Sequence, residues 1–476
     1  MSAIHNAKAI FDLSAPPHTL GLPVPHSTHS FWINSPGANP LAKEGSEDDL
    51  TPDSDICIIG SGITGVSAAY HLARSLAAEE DVPCKVTILE ARDFCSGATG
   101  RNGGHLTAEI FDNFVFRESN YGPDEAKKAH KLEIHTEREL VRLIKAEGWE
   151  EIVDLVSNHR VGLLVNTKEM QATKADYDAA KAAQADLIEN VEWLTEEEVL
   201  TEYGSSYPAY RHPGNNVWPL KLVTQLYKLA KKLNPNLNLH TNTPVKSISL
   251  SAAGPHRWTL STPRGNIQCS YVIHATNAYA SHLLPHLHGP KGIIQTRGQA
   301  IALRSAAPSA ELTQDAWVGT LGWKYWFPRP VSSPKDRPLI IFGGGRDESG
   351  PGLESYIVDD STLNPNVSRA LRKYLPPLFP GKYEEGREPE MEWTGIMGYT
   401  QVGDPFVGPV IDPTQTQGVG HYQGQYISAG YTGHGMPRGY ACAEAVVGMI
   451  TADIAGRAWS PPEWFPHHFL TTERCK

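Results

Sequence analysis

The feature that most restricts this chain is Asp55-Ile-Cys-Ile-Ile-Gly60-Ser-Gly62-Ile-Thr-Gly65, an apolar run that ends on one glycine and continues into two more at fixed spacing. A run this short, uncharged after its first residue, suits a parallel strand buried on both faces. In the G-x-G-x-x-G that closes it, Gly60 suits a tight turn, Gly62 a close backbone approach to phosphate, and Gly65 close packing of helix on strand. A helical stretch follows from about Ile63 to Ala78. After the Glu79–Pro83 loop, Lys85-Val-Thr-Ile-Leu-Glu90 reads as a second strand closed by an acid. Such a βαβ unit takes a dinucleotide. Gly60, Ser61, Gly62, Ile63, Thr64 and Gly65 would surround the pyrophosphate at the helix N-terminus, where free N–H groups and the dipole attract anions. Glu90, with Ala91 and Arg92 behind it, would meet the adenosine ribose. Glu90 lies 25 residues after Gly65, slightly beyond the usual spacing, and the Glu79–Pro83 loop absorbs the excess. On this fingerprint alone, nicotinamide and flavin dinucleotides both remain open.

A length of 476 residues suggests about three domains. The net charge of −11 argues against a general nucleic-acid binder, which would be basic. Six scattered cysteines form no C-x-x-C pair, so neither a zinc site nor a disulfide framework is expected, and Cys57 reads as a small core residue. No stretch approaches the length of a membrane span, the N-terminus lacks the apolar core of a signal peptide, and the C-terminal Glu473-Arg-Cys-Lys476 is no peroxisomal address. The expectation is a cytoplasmic protein with no metal, membrane or nucleic-acid partner. Oligomeric state is not legible.

Residues 1–52, rich in Pro, His, Ser and Gly, form an N-terminal arm. Its apolar islands Ile10-Phe11 and Phe31-Trp32-Ile33 should pack on the body. Helical periods occupy residues 123–147, 170–190, 221–233 and 437–452, and a strand-rich stretch covers 239–274. Strand-like pieces at Gln299–Leu303 and Leu339–Phe342 sit among Pro- and Gly-rich turns, and Tyr426–Gly430 reads as the last strand. The expected fold is α/β, α+β overall: a Rossmann-like domain from 53–112, 215–285 and 395–458, and an interleaved antiparallel-sheet substrate domain from 113–214 and 286–394. Residues 459–476 form a tail.

Five residues beyond Glu90 begins Cys95-Ser-Gly-Ala-Thr-Gly-Arg-Asn-Gly-Gly104-His105, whose four glycines describe a backbone running close against something flat or phosphorylated. With the upstream fingerprint, this loop resembles the D-amino-acid-oxidase-like superfamily of FAD oxidoreductases. Gly-Arg-Asn-Gly-Gly is most similar to the gamma-glutamylputrescine oxidase branch. Further segments match in order: Pro244-Val245 resembles the adenine-side strand, and His274-Ala-Thr-Asn-Ala-Tyr279 a strand end near the pyrophosphate, with Asn277 replacing glycine. Thr296–Gln299, Leu339–Gly345, Trp393–Gly395 and Tyr431-Thr-Gly-His-Gly-Met436 also resemble segments of that branch. The resemblance implies FAD contacts at Thr99, Arg101, Asn102, Gly103, Gly104, Val245, Ala275, Thr276, Gly433, His434, Gly435 and Met436. Independently of it, Gly433-His434-Gly435 opens a helix, and a helix N-terminus suits the negative charge of a reduced flavin.

The chemistry implied by the resemblance is oxidation of a C–N bond. Hydride passes from the carbon beside a neutral amine to flavin N5, the imine hydrolyses, and oxygen takes the electrons. An FAD dehydrogenase or tailoring enzyme of a specialised metabolite, with another acceptor, is the alternative. A flavin-bound scaffold or sensor is a third reading. His105, Tyr325 and His434 are the candidate catalytic residues; for His434 a backbone role is expected, and Tyr325 belongs to an aromatic run, Trp323–Phe327. Two departures from sarcosine-oxidase relatives matter. Met397 stands where those proteins attach flavin to cysteine, so FAD should be non-covalent. Pro437, followed by Arg438, replaces their carboxylate-holding lysine, which favours another amine over a simple amino acid. Ile341 or Phe342 stands where their oxygen-activating lysine falls.

Overall fold

The strand at the fingerprint, Asp53–Ile59, lies at the centre of an eight-stranded sheet. The computed structural model describes residues 21–77, 84–414, 418 and 420–474. The Ile10-Phe11 island, the Glu79–Pro83 loop and Cys475 fall outside these residues. Within the first sheet Gln425–Ala429, Gly265–His274, Asp53–Ile59, Val86–Leu89 and Leu237–His240 run parallel in that spatial order. Their side chains are buried on both faces, which is why the central strands read as unbroken apolar runs. Helices Ile63–Ala77, Pro219–Leu233 and Gly435–Ile454 pack together through Val66, Leu72, Leu226, Tyr440 and their neighbours. Cys57 and Cys269 are core residues of the adjoining cluster.

The second sheet orders Met391–Tyr399, Ile294–Arg304, Leu339–Gly344, Lys324–Pro328, Ala316–Gly319, Val156–Leu163, Ala209–Asn216 and Glu192–Leu194. It is antiparallel except where Val156–Leu163 pairs parallel with Ala316–Gly319, a crossing that joins the two chain segments composing it. The boundaries expected at 214/215 and 394/395 need correcting. Both cut strands, Ala209–Asn216 and Met391–Tyr399, whose full lengths hydrogen-bond within this sheet. Val245 is also corrected: it is buried but lies between strands Leu237–His240 and Ser247–Leu250 rather than on one. The expected 170–190 helix is Thr167–Ala182, after which the chain breaks into a short turn at Asp186–Ile188. The arm's second island does pack, with Phe31–Asn34 forming one helical turn and Trp32 fully buried.

Gly60 adopts φ +109°, a region that favours glycine, and Gly65 faces it so closely that an added Cβ would lie 1.9 Å from the Gly60 carbonyl oxygen. Helix propensity alone would make Gly65→Ala stabilising by about 1 kcal/mol. The backbone clash reverses the sign, and we expect a loss of about 3 kcal/mol or more. Thermal unfolding of the variant checks this, and an unchanged or raised melting temperature would contradict the contact.

Candidate cofactor and active site

One cavity of about 330 Å³ runs along the ends of the parallel strands and under the second sheet. The sequence-expected residues converge on it. Gly60, Gly62, Ile63, Thr64, Glu90, Ala91, Arg92, Thr99, Arg101, Asn102, Gly103, Val245, Ala275 and Thr276 line it, as do Gly433, His434, Gly435 and Met436. Three do not, and each has another task. Ser61 donates its hydroxyl to Glu90 at 2.7 Å and accepts from the Cys95 amide at 2.8 Å. Gly65 packs on Gly60, while Gly104 is enclosed by Trp32, Phe327 and the Val217 carbonyl. The flavin-loop glycines therefore answer largely to protein. A Cβ on Gly103 would enter the Tyr325 ring, one on Gly100 would meet Ile33, and only Gly97 faces open space.

Several features fit a dinucleotide. The Glu90 carboxylate accepts from Ser61 on one oxygen and from the Arg92 amide on the other, which holds its orientation and leaves lone pairs for ribose hydroxyls. Thr276 Oγ1 is buried without a partner, a group that a ligand in the cavity would satisfy. Arg92 and Arg101 do not reach freely into the space, however. Arg92 grips Asp360 at 3.0–3.1 Å and Arg101 lies 3.6 Å from the same carboxylate. Two guanidiniums share one carboxylate beside the cavity, and Glu90, close to Arg92, supplies a second negative charge. Asn277, in place of the family glycine, keeps a left-handed backbone (φ +44°), and its side-chain oxygen accepts from the Gly430 amide at 2.9 Å.

All three catalytic candidates line the cavity. His105 and Tyr325 meet edge to face, with ring centroids 5.6 Å apart. Desolvation pushes the Tyr325 phenol up to about 12 and His105 down to about 3, so both are neutral near pH 7. The His434 side chain is engaged by two carboxylates: Nε2 lies 3.1 Å from Glu109, and Nδ1 3.9 Å from Glu133. Burial pushes Glu109 up, but His434, Arg160 and Arg438 outweigh it and hold the carboxyl below its ordinary range. Glu109, Glu133 and His434 bring possible metal-ligand atoms within 4.8 Å of one another. Arg438 donates to Glu133 at 2.7 Å, and Arg160 stands 3.8 Å from Glu109, so these carboxylates already have cationic partners.

Arg438, the neighbour of Pro437, is engaged by Glu133 and the Gly403 carbonyl. The residue that sequence reasoning missed is Arg346. It lines the cavity, is 4% exposed, lies 4.8 Å and 4.5 Å from the Trp323 and Tyr399 rings, and donates to the Leu353 carbonyl. Among the described residues no ion pair joins it to a carboxylate. The only sequence cue was an arginine directly after Gly343-Gly-Gly345, whose last two residues turn with positive φ.

His105 is one of several histidines held below their ordinary value by desolvation, His240 among them. His105 and His212 fall to about 3, and His71, His130 and His274 to about 4. The unfolded chain, with pKa near 6.5, binds protons first, so stability present above about pH 6.5 is lost as pH falls toward 4. Buried Glu137 and Asp176, raised to about 7 and 6 by desolvation, act in the opposite sense but are fewer. We expect the melting temperature to fall steadily between pH 6.5 and 4.5, less steeply in His212→Asn. A flat profile would refute the assignment of neutral buried histidines.

Residues 55–449 match the model of the family described as DAO, FAD dependent oxidoreductase. A Rhizobium meliloti (strain 1021) protein, "Probable oxidoreductase OrdL", is 24% identical over 411 residues, 84% of this chain and 83% of the relative. Gamma-glutamylputrescine oxidoreductase of Escherichia coli (strain K12) is 26% identical over 237 residues, 47% of this chain and 49% of that protein. Among solved structures, glycine oxidase from Geobacillus kaustophilus shares the fold at a TM-score of 0.62 and 20% identity, covering 87% of this chain and 98% of its own. With the family model spanning most of its length, and a dinucleotide fingerprint opening onto the cavity, this chain belongs to the FAD dependent oxidoreductase family.

Proposed function

We propose that the cavity holds FAD without a covalent bond and that the chain oxidises a C–N bond in an amine that also carries an anionic group. FAD, when bound, supplies the hydride acceptor, and water then hydrolyses the imine that leaves. The reading is carried by Arg346, a buried guanidinium in an aromatic slot of the same cavity that the fingerprint opens onto. A cation so placed, with no described carboxylate partner, favours a ligand carboxylate, which it can bind in bidentate fashion. This restores the amino-acid-like substrate that Pro437 had put in doubt. Tyr325 and His105 supply a neutral wall that excludes water and disfavours a charged ammonium. Met397 lines the cavity in place of a thiol, which supports non-covalent attachment. The related proteins named above include oxidoreductases of glycine and of a glutamylated amine, consistent with this class.

Oxygen is our proposed acceptor. A dehydrogenase using another acceptor is the second reading, favoured by the buried apolar Ile341 and Phe342 where relatives carry a lysine. Peroxide released on turnover in air supports the first, and bleaching without aerobic turnover supports the second. Anaerobic titration of the yellow protein with an amine library tests the whole reading: carboxylate-bearing amines should bleach the flavin. A colourless protein that cannot be reconstituted with FAD overturns it. Arg346→Met should raise KM for the bleaching substrate by roughly 10- to 100-fold with a smaller change in kcat.

A further inference from the structure

The matched family domain begins at residue 55, yet Leu22 and Pro23 line the cofactor cavity. Residues 24–34 that follow make contacts with the flavin loop and with the arginines beside it. Three successive loop carbonyls are claimed by side chains: Gly100 by the Ser30 hydroxyl at 2.7 Å, Arg101 by Trp393 Nε1 at 2.8 Å, and Asn102 by Trp32 Nε1 at 2.5 Å. Two of the three donors belong to the arm, and Ser30 and Trp32 are completely buried. Ile33 packs beside Gly100, together with the Cys95 carbonyl, and Trp32 packs beside Gly104, together with the Val217 carbonyl and Phe327. Upstream, the Thr28 amide donates to the Asp360 carbonyl at 2.8 Å, and the Thr28 carbonyl accepts from Arg101 at 2.9 Å. The Val24 carbonyl accepts from Arg92 at 3.3 Å. The arm is thus bonded to both arginines beside the cavity.

We propose that residues 22–34 are a working part of the cofactor site, in which Ser30 and Trp32 are positioning residues that hold the 100–104 loop against the cavity while Leu22 and Pro23 close one end. The inference rests on FAD occupying the cavity. A bound dinucleotide leaves only when the loop or the cap yields, so the arm governs FAD retention rather than the chemistry. Because the loop is pressed between the arm outside and Tyr325 inside, loosening the arm also frees Gly103 from its ring contact.

The experiment compares holoenzyme carrying Trp32→Phe, Ser30→Ala, or both, with wild type. Trp32→Phe keeps an aromatic ring while removing the Nε1 donor and part of the indole volume, and Ser30→Ala removes the hydroxyl alone, so the apoprotein melting temperatures separate lost packing from lost loop contacts. FAD release is followed by the recovery of flavin fluorescence after dilution, and the thermal unfolding of each apoprotein is recorded alongside. The double variant should release FAD roughly tenfold faster or more, with an altered flavin absorption envelope, while its apoprotein melts close to wild type. Release at the wild-type rate, or faster release wholly matched by a lowered apoprotein melting temperature, overturns the proposal. A wild-type protein that takes up no FAD instead overturns the functional reading beneath it.

Discussion

Asp360 is the point on which the organisation of the site turns. Its carboxylate, 1% exposed, lies on a segment that follows the second sheet's Leu339–Gly344 strand and binds Arg92 and Arg101 from the first sheet's loops. Burial, with repulsion from Arg92, outweighs the pull of Asp360 and lowers Arg101 to about 10, whereas in Arg92 the cost of burial is outweighed by the Asp360 contact. Removing one partner from a buried ion pair typically costs several kcal/mol, because a charge is left without compensation. The two sheets and the arm are therefore joined by a polar knot rather than by apolar packing alone. The knot sits beside the cavity, which Arg92 and Arg101 both line.

At the other end of the cavity the charges close on themselves. Glu109, Glu133, His434, Arg160 and Arg438 form a mutually compensated cluster, and Arg438 and Glu133 are each about 1% exposed. Arg346 stands apart from it, bounded by rings and one carbonyl. This contrast separates arginines that hold the fold from one that is available to a ligand. Composition and position in the chain do not distinguish them.

Much of the site was legible because its motifs are local. The Gly60–Gly65 turn, the acid at Glu90 and the Gly433–Gly435 helix start each depend on backbone geometry over a few residues. Arg346 was missed because its significance comes from Trp323 and Tyr399, which approach it through strand pairing across the second sheet. Strands Ala209–Asn216 and Met391–Tyr399 cross the domain boundaries expected at 214/215 and 394/395 for the same reason: pairing partners, rather than local pattern, decide which sheet they join.

By itself the sequence determined the strand–turn–helix that receives a dinucleotide, the acid beside it, and the order of the segments that return to it. These follow from short-range sterics and the period of the apolar residues. Tertiary structure alone decided which glycines line the cavity and which pack on protein, which arginine lacks a carboxylate partner among the described residues, and that the arm reaches the cavity. Those outcomes depend on contacts between residues as far apart as Arg92 and Asp360, which no local pattern encodes.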